Sequence, residues 1–569
     1  MCRREATRRA TLLASIALVM TLAACGGGSK PATSGVGAAP TPSAGQVALP
    51  AAAPKVSFYA ASRFAEQATF GPTPALVAEL QAKGFERWID EQLALPASEL
   101  DMRFVDWNDT QDQRNIGGLF EGEAMHSFVG APDQLRWRVT WSLSQFVVVS
   151  YQKLDPAGVA LWANDLHRMA LGNYGALLRG LTLSSPMARY LDNDQNRPKG
   201  DDCPNCVPNE NYARELMQLF SLGVWLLNPD GSAQRDARGR IIETYTQRDV
   251  EELARVLTGW RHDPIRVPNT PRNGASWSRP MVPSAYQPDR DPGRKEVLGR
   301  VFPAGQTIYQ DLDNVVTLLV AHPNIAPFVA TRLIQNLVKS DPSPAYVQRI
   351  GAVFRDNGRG QSGDMKAVVK AILLDAEARR GDDPSRALLH DGKLREPVLY
   401  SAGLLRALGC RKVPIEYHSG VPWRVGGQPP FAQPSVFGWY APTDRAPGSN
   451  LLAPEQQTLT PRELRRRLGG LEHVAFTAYN PGPSVPTGAL SDAGCGLGEF
   501  AAAYQRSTSE LLALIGRRFL RGEQPQATFA ITKEMSRQWQ TPNNPQWLER
   551  ETIQLLEFVL FSEGYGAMP

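Results

Sequence analysis

One segment of the chain combines carboxylates, amides and an arginine at helical spacing, in the sequence NENYARELMQLF. Its polar residues are Asn209, Glu210, Asn211, Arg214, Glu215 and Gln218. On a helical projection Asn211, Glu215 and Gln218 flank an apolar stripe, so Glu215 lies beside buried surface. Glu210 and Arg214 form an i,i+4 pair on the opposite side.

Two roles remain open for the carboxylates of this segment. Burial raises the pKa of a carboxyl group toward neutrality, which would make Glu210 or Glu215 a general acid/base or a ligand. Alternatively, Glu215 and Arg214 tie together loops that pack over the helix. In either role a Glu215 carboxylate beside the core must be satisfied by arginine, amide or backbone donors.

Oxygen-bearing side chains also crowd the segment YLDNDQN, which precedes that helix. Asp192 and Asn193 begin the cluster, and Asp194 and Asn196 continue it. Ca²⁺ takes six to eight oxygen ligands, so a cation site is one interpretation. The spacing lacks the Gly and the bidentate Glu of an EF-hand loop, and turn chemistry explains such clusters more simply.

His322-Pro323-Asn324 precedes a helix that we predict from about 325 to 339. This position makes Asn324 the expected N-cap of that helix. His322 either faces a cleft or is a hydrogen-bonded structural histidine. The chain has seven His and no H-x-x-H or H-E-x-x-H pattern, which argues against a zinc protease.

Four aromatic residues lie in or beside predicted loops: Trp260, Trp423, Trp439 and Tyr440. If exposed, they would stack on sugar rings; the alternative is that they anchor their loops to the core. Patterns typical of other hydrolases and nucleotide-binding proteins, G-x-S-x-G, G-x-x-x-x-G-K-[ST] and G-x-G-x-x-G after a strand, are missing from the sequence.

Helices must position these residues, because capped amphipathic segments dominate from Ser57 onward. Thr73-Pro74 opens one helix that Gly84 closes, and Thr246 with Asp249 opens another that runs to Thr258. Helical apolar spacing recurs over 133–150, 209–222, 325–339, 364–379, 393–408, 508–521 and 546–562. The predicted fold is mostly α: one multi-helical globular body over 57–569, with long loops and little β.

The N-terminus predicts export and a lipid anchor. A basic start and an apolar stretch make residues 1–24 a signal peptide, and Leu-Ala-Ala-Cys ends it at Cys25, as in lipoproteins that are acylated there. Gly26 favours the outer membrane of a Gram-negative cell, reached by the Sec or the twin-arginine route. Residues 25–56 are rich in Gly, Pro, Ala and Ser and form a flexible linker. The net charge of only +4 argues against a nucleic-acid partner.

Cysteine usage agrees with export. Cys203 and Cys206 form a C-x-x-C pair, which in an exported protein predicts a disulfide that closes a tight loop. A zinc site lacks a second pair or a nearby His, and a redox site lacks a strand–helix context. Cys410 and Cys495 are candidates for a second bond.

The runs NENYARELMQLFSLG, HPNIAPF, VLTGW, KLREPVL and QPSVFGWYAP resemble the bacterial family called domain of unknown function 1800, over about residues 58–565. The run KLREPVL adds Arg395 and Glu396 to the candidate binding residues. The resemblance implies export and a companion that resembles alkaline phosphatases, and it implies no activity or cofactor. The family's His-Asp pair before Gly-x-Lys-x-x-Leu-Gly is absent, since residues 289–299 read DRDPGRKEVLG.

Two functional classes follow. The first is an envelope lipoprotein that binds or scaffolds a secreted partner or an extracellular polymer. The second is a carboxylate-dependent hydrolase or lyase that acts on such a polymer through Glu210 or Glu215. We favour the first class, because the sequence shows no recognised nucleophile or metal set.

Overall fold

The computed structural model describes most of the predicted globular body. The described residues are 56–102, 113–263, 277–388, 390–410, 427–464, 467, 498–523, 534, 555–556 and 559–569. The predicted signal peptide, Cys25 and the linker up to residue 55 lie outside them, as do Trp423 and Cys495.

Helices follow one another along almost all of the described chain, and the prediction of a mostly α fold is confirmed. The first ten are α1 Phe58–Ala68, α2 Pro74–Lys83, α3 Phe85–Ala94, α4 Gln113–Gly130, α5 Gln134–Ser144, α6 Pro156–Met169, α7 Tyr174–Leu183, α8 Ser185–Tyr190, α9 Asn211–Gln218 and α10 Gln247–Val256. The later ones are α11 Ile308–Ala321, α12 Ile325–Leu337, α13 Pro344–Arg355, α14 Met365–Leu374, α15 Ala376–Arg380, α16 Pro397–Ala407, α17 Gly498–Arg506, α18 Thr508–Phe519 and α19 Glu563–Gly566.

The strands of the described residues are short and form three antiparallel pairs. The pairs are β1 Trp260–Arg261 with β2 Val282–Pro283, β3 Lys295–Val297 with β4 Arg300–Phe302, and β5 Lys393–Leu394 with β6 Ala567–Met568. In the last pair Lys393 lies opposite Met568, so the end of the chain returns to the start of α16.

Local capping explains where several helices begin. The Thr73 side chain accepts a hydrogen bond from the Leu76 backbone N–H, and Gly84 ends α2 with a φ of +79°. Thr246 and Asp249 form a capping box at the start of α10, as the sequence predicts. This helix ends at Val256, two residues before the predicted end.

Helix α5 lies at the centre of the fold, because every one of its residues from Gln134 to Ser144 is buried. It packs against α3, α4, α6 and α12. Its indoles, Trp137 and Trp141, are fully buried, and so is the Arg138 side chain. The core therefore contains charge as well as apolar side chains, and that charge needs partners.

Within the described residues no single helix is both long and apolar enough to cross a bilayer. A bent pair, Ile308–Ala321 with Ile325–Leu337, meets the same test of length and composition.

Candidate functional site

Helix α9 carries the polar segment that the sequence singled out. Tyr212 and Leu216 are buried at 1% exposure each, as the apolar stripe predicts. Glu215 is 5% exposed and lies next to this stripe, so its predicted placement beside the core is confirmed. The helix begins at Asn211, after the Asn209 backbone N–H donates to the Asn196 side chain over 2.7 Å.

The carboxylate of Glu215 lacks the donors that we expected. Its Oε2 is buried and accepts no hydrogen bond from any described residue. Burial raises the pKa of Glu215 to about 7, and the positive charge of Arg214 offsets only part of that effect. Burial, with the Glu215 charge second, also raises the pKa of Tyr190 and that of Tyr245 to about 12. The expectation of a fully satisfied carboxylate is therefore wrong.

Glu210 lies in a different environment. Its Oε2 accepts from Arg214 Nη2 at 2.8 Å, which confirms the predicted i,i+4 pair, and from Gln247 Nε2 at 2.8 Å. The pair is partly exposed, so it contributes a few tenths of a kcal/mol. Gln218 Oε1 accepts a 3.2 Å bond from the Tyr245 hydroxyl. Glu210 thus joins α9 to α10 as a structural link.

The acidic loop before α9 is built by turn chemistry. Asp192 has a φ of 57°, a conformation that Asp tolerates, and its carboxylate accepts from Asn211 Nδ2 at 3.1 Å. Asn193 is 1% exposed and its Oδ1 accepts from Asn196. Nowhere in the described chain do three or more His, Cys, Asp or Glu side chains group to hold a metal.

The C-x-x-C prediction is confirmed, because Cys203 and Cys206 are bonded to each other in the loop between Asn196 and α9. Cys410 is buried and is also disulfide-bonded. Its pairing with Cys495 stays a prediction, because Cys495 lies outside the described residues.

Asn324 occupies the position before α12 but does not cap it, which corrects the prediction. Its fully buried side chain instead reaches the segment after α9. Nδ2 donates to the carbonyls of Leu222 and Trp225 and to Thr244 Oγ1, over 3.1, 2.8 and 3.2 Å. Oδ1 accepts from the Leu227 N–H at 2.9 Å. His322 is half-buried, and its Nδ1 accepts from the Asn324 N–H, so it is hydrogen-bonded as a structural histidine would be.

The segment that Asn324 holds, residues 224–244, is named here the three-armed cap. Its three arms are joined by a cycle of backbone hydrogen bonds, in which Leu226 N–H donates to Ile242, Ile242 to Gln234, and Gln234 to Leu226. The bonds are 2.7–3.1 Å long. Asn324 therefore fixes the base of the cap, and the cycle fixes its arms.

The aromatic loop residues divide between the two interpretations. Trp260 is 1% exposed in β1 and packs edge-on against Tyr309, so an exposed platform at Trp260 is wrong. Trp439 and Tyr440 are half-buried, and the Tyr440 hydroxyl is tied to Glu396. The exposed aromatic of this loop is Phe437, at 55%.

Arg395 and Glu396 lie in buried ion networks. Arg395 Nη2 donates to Glu66 at 2.7 Å, and its guanidinium lies 4.2 Å from the Tyr565 ring centre. Glu396 accepts bonds at 2.9–3.1 Å from Trp141, Gln428 and Tyr440. Neither side chain shares a named partner with Glu215. The candidate residues thus form two groups, one around α9 and the cap and one around α16.

Sequence reasoning missed a buried Asp–His pair. His167 Nε2 lies 2.9 Å from Asp133 Oδ2, and its Nδ1 lies 2.9 Å from Thr140 Oγ1. All three side chains are fully buried and the imidazole stacks on Trp137, so solvent does not reach them. Their separation of about thirty residues along the chain gives no motif that could have revealed them.

The region that lacks the family's His-Asp pair is also filled by ion pairs. Arg290 and Lys295 both contact Asp311 Oδ2, at 2.7 and 3.1 Å, and Asp291 pairs with Arg255 at 2.8 Å. Side chains at these positions hold β3 against α10 and α11.

Two pockets in the described chain lie away from every predicted site residue. One, of about 210 Å³, lies between α2 and α18 and includes Val77 and Leu514. The other, of about 250 Å³, includes Trp277, Arg168 and Arg279.

No curated protein and no solved structure matches the chain. A family model does match, and it covers residues 63–565, which is nearly the whole globular body. The motifs whose geometry is given above lie within that range. The chain therefore belongs to the family described as protein of unknown function (DUF1800).

Proposed function

We propose that this protein is an exported, membrane-anchored lipoprotein that binds or scaffolds a secreted partner or an extracellular polymer. The observation that carries the proposal is the Asn324 clamp. One buried amide makes four bonds to the base of the three-armed cap, so a motif residue with the polarity of a ligand serves to hold a surface structure in place.

The roles of other motif side chains support the same proposal. Glu210 links α9 to α10, Asn196 fixes the start of α9, and Glu396 joins α5, α16 and the loop at Tyr440. Each side chain connects segments that are distant in sequence. Such a framework suits a rigid body that presents surfaces, and an alkaline-phosphatase-like secreted companion is the partner that we propose for it.

The N-terminal sequence supports the envelope location. A lipid on Cys25 would hold the body at a membrane through the linker, whose r.m.s. reach is roughly 30 Å. Metabolic labelling should find an acyl chain on the wild type, and Cys25→Ala should move the protein from the membrane to the soluble periplasmic fraction. An unlabelled wild type would contradict this part of the proposal.

A second candidate, a carboxylate-dependent hydrolase or lyase, rests on Glu215. A buried carboxyl whose pKa is about 7 and whose Oε2 has no described donor matches the preparation of a general acid/base. The described pockets do not include Glu215, however, so a substrate path to it has no support in this structure.

One experiment separates the two candidates. Calorimetry with the purified chain and its companion should show binding that Asn324→Ala weakens at least tenfold, with the helical circular-dichroism signal retained. Glu215→Gln should bind like the wild type and restore function to a deletion strain, and Glu210→Gln is the matched control. If Glu215→Gln folds and binds the companion but fails to restore function, the hydrolase or lyase candidate replaces the scaffold.

A further inference from the structure

The outer surface of the three-armed cap combines apolar and basic side chains. Trp225 is 43% exposed and Ile241 is 37% exposed. Arg235, Arg238 and Arg240 are exposed around the turn between the second and third arms. Arg240 pairs with Asp236, so the basic residues exceed the acidic ones in this turn.

Backbone pairing places the apolar and basic side chains side by side. Arg235 and Ile241 are directly paired across an antiparallel bridge, so both lie on one side of it. Trp225 is paired with Glu243, two residues further along the third arm, which brings the indole to the same side. The indole, the isoleucine and the guanidinium of Arg235 therefore share one surface.

The cap is held before any partner arrives. Asn324 and the cycle of backbone bonds fix it from below, and the turn at Gly231, with a φ of +81°, packs against Val347. A Cβ at Gly231 would lie 3.0 Å from Val347 Cγ1, so the turn has no room for a side chain. Binding through this surface would cost little ordering entropy.

We propose that the three-armed cap docks the globular body on the anionic membrane surface to which Cys25 tethers it. Trp prefers the membrane–water interface, Ile supplies apolar area, and arginines pair with lipid phosphates. The inference rests on the lipid anchor of the proposed function and goes beyond it by orienting the body.

Tether length favours a membrane as the occupant. A linker whose r.m.s. reach is roughly 30 Å keeps the body at a high effective concentration near the bilayer, so a small patch with weak intrinsic affinity is sufficient. A partner strand is a poorer fit, because the arms of the cap already satisfy one another's backbone groups in the cycle.

The test uses the full exported chain with Cys25→Ala, so that the lipid anchor makes no contribution. Co-sedimentation should show binding to vesicles of phosphatidylglycerol and phosphatidylethanolamine, weaker binding to phosphatidylcholine alone, and release by salt. Trp225→Ala should reduce binding about tenfold, and Arg235→Gln with Arg238→Gln should reduce it by a similar factor, since each surface arginine contributes about fivefold.

Two controls make the outcome specific. Phe437→Ala removes an aromatic ring that is 55% exposed on a different loop and should leave vesicle binding unchanged. Trp225→Phe should restore part of the binding, which a folding defect in Trp225→Ala would not explain.

Equal vesicle binding by the wild type and Trp225→Ala would overturn the proposal, and so would a wild type that ignores anionic vesicles. If Trp225→Ala abolishes binding of the companion protein and leaves vesicle binding intact, the cap is a protein interface instead. In that case acylation of Cys25 and complex formation would still support the proposed function, so the two failures are distinguishable.

Discussion

Two glutamates of this protein are buried to a similar extent and have opposite acid–base properties. Glu215 on α9 is 5% exposed, and burial raises its pKa to about 7. Glu396, just before α16, is fully buried, yet its pKa lies below its ordinary value. Burial alone would raise the pKa of Glu396, but the charges of Lys393 and Arg138 and the hydrogen bonds it accepts outweigh that effect.

The difference lies in what each carboxylate contacts. Glu396 accepts from an indole, an amide and a phenol, and two cations lie near it. Glu215 has a partly exposed arginine nearby and two tyrosines whose own ionisation it opposes. A buried carboxylate with donors stabilises the ionised form and fixes the fold, whereas one without them becomes a proton-binding group.

The largest effect should come from removing the supported carboxylate. Glu396→Leu leaves three donors and two cations without their acceptor, so the free energy of unfolding should fall by about 3–5 kcal/mol. Urea unfolding followed by circular dichroism would measure the loss. A variant as stable as the wild type would remove the basis of the comparison.

The pH dependence of Glu215 comes next. Its folded-state pKa is raised, so its stabilising contribution is complete below about pH 4.5 and is lost as the pH rises through about 7. The loss should amount to about 3 kcal/mol, and Glu215→Gln should abolish it. Unfolding free energies of both proteins at pH 5 and pH 8 test this, and parallel pH profiles would contradict it.

Removing a single donor from Glu396 should shift it toward the behaviour of Glu215. Tyr440→Phe deletes one 2.9 Å bond to the carboxylate, so stability should fall by about 2 kcal/mol and the pKa of Glu396 should rise. Urea unfolding measures the first effect and carboxyl-selective NMR titration the second. No change in either would show that the remaining donors suffice.

The smallest effect should be at Glu210, which marks the exposed end of the comparison. Its pair with Arg214 is partly solvent-exposed, so Glu210→Gln should change stability by at most about 0.5 kcal/mol, and less in high salt. Thermal unfolding at two salt concentrations checks this. A loss as large as that of Tyr440→Phe would place Glu210 in the buried network.

The predictions that succeeded from sequence depended on neighbours within one or two turns. The Thr73 cap, the Thr246–Asp249 box, the Glu210–Arg214 pair and the Cys203–Cys206 bond each join residues at most four apart. The predictions that failed depended on distant ones. Asn324 bonds to residues about 80–102 positions away, so its capping propensity lost to tertiary hydrogen bonds.

The sequence by itself determined the helical body, its helix starts, the position of Glu215 beside the core and the family of the chain, because periodicity, caps and motifs are local properties. Tertiary structure alone decided which carboxylate keeps its charge. Glu396 meets Trp141 from 255 residues away and Tyr440 from 44, whereas no described donor reaches Glu215 Oε2. The pKa of a buried group depends on the donors and charges that the packed helices bring to it, and local sequence does not specify them.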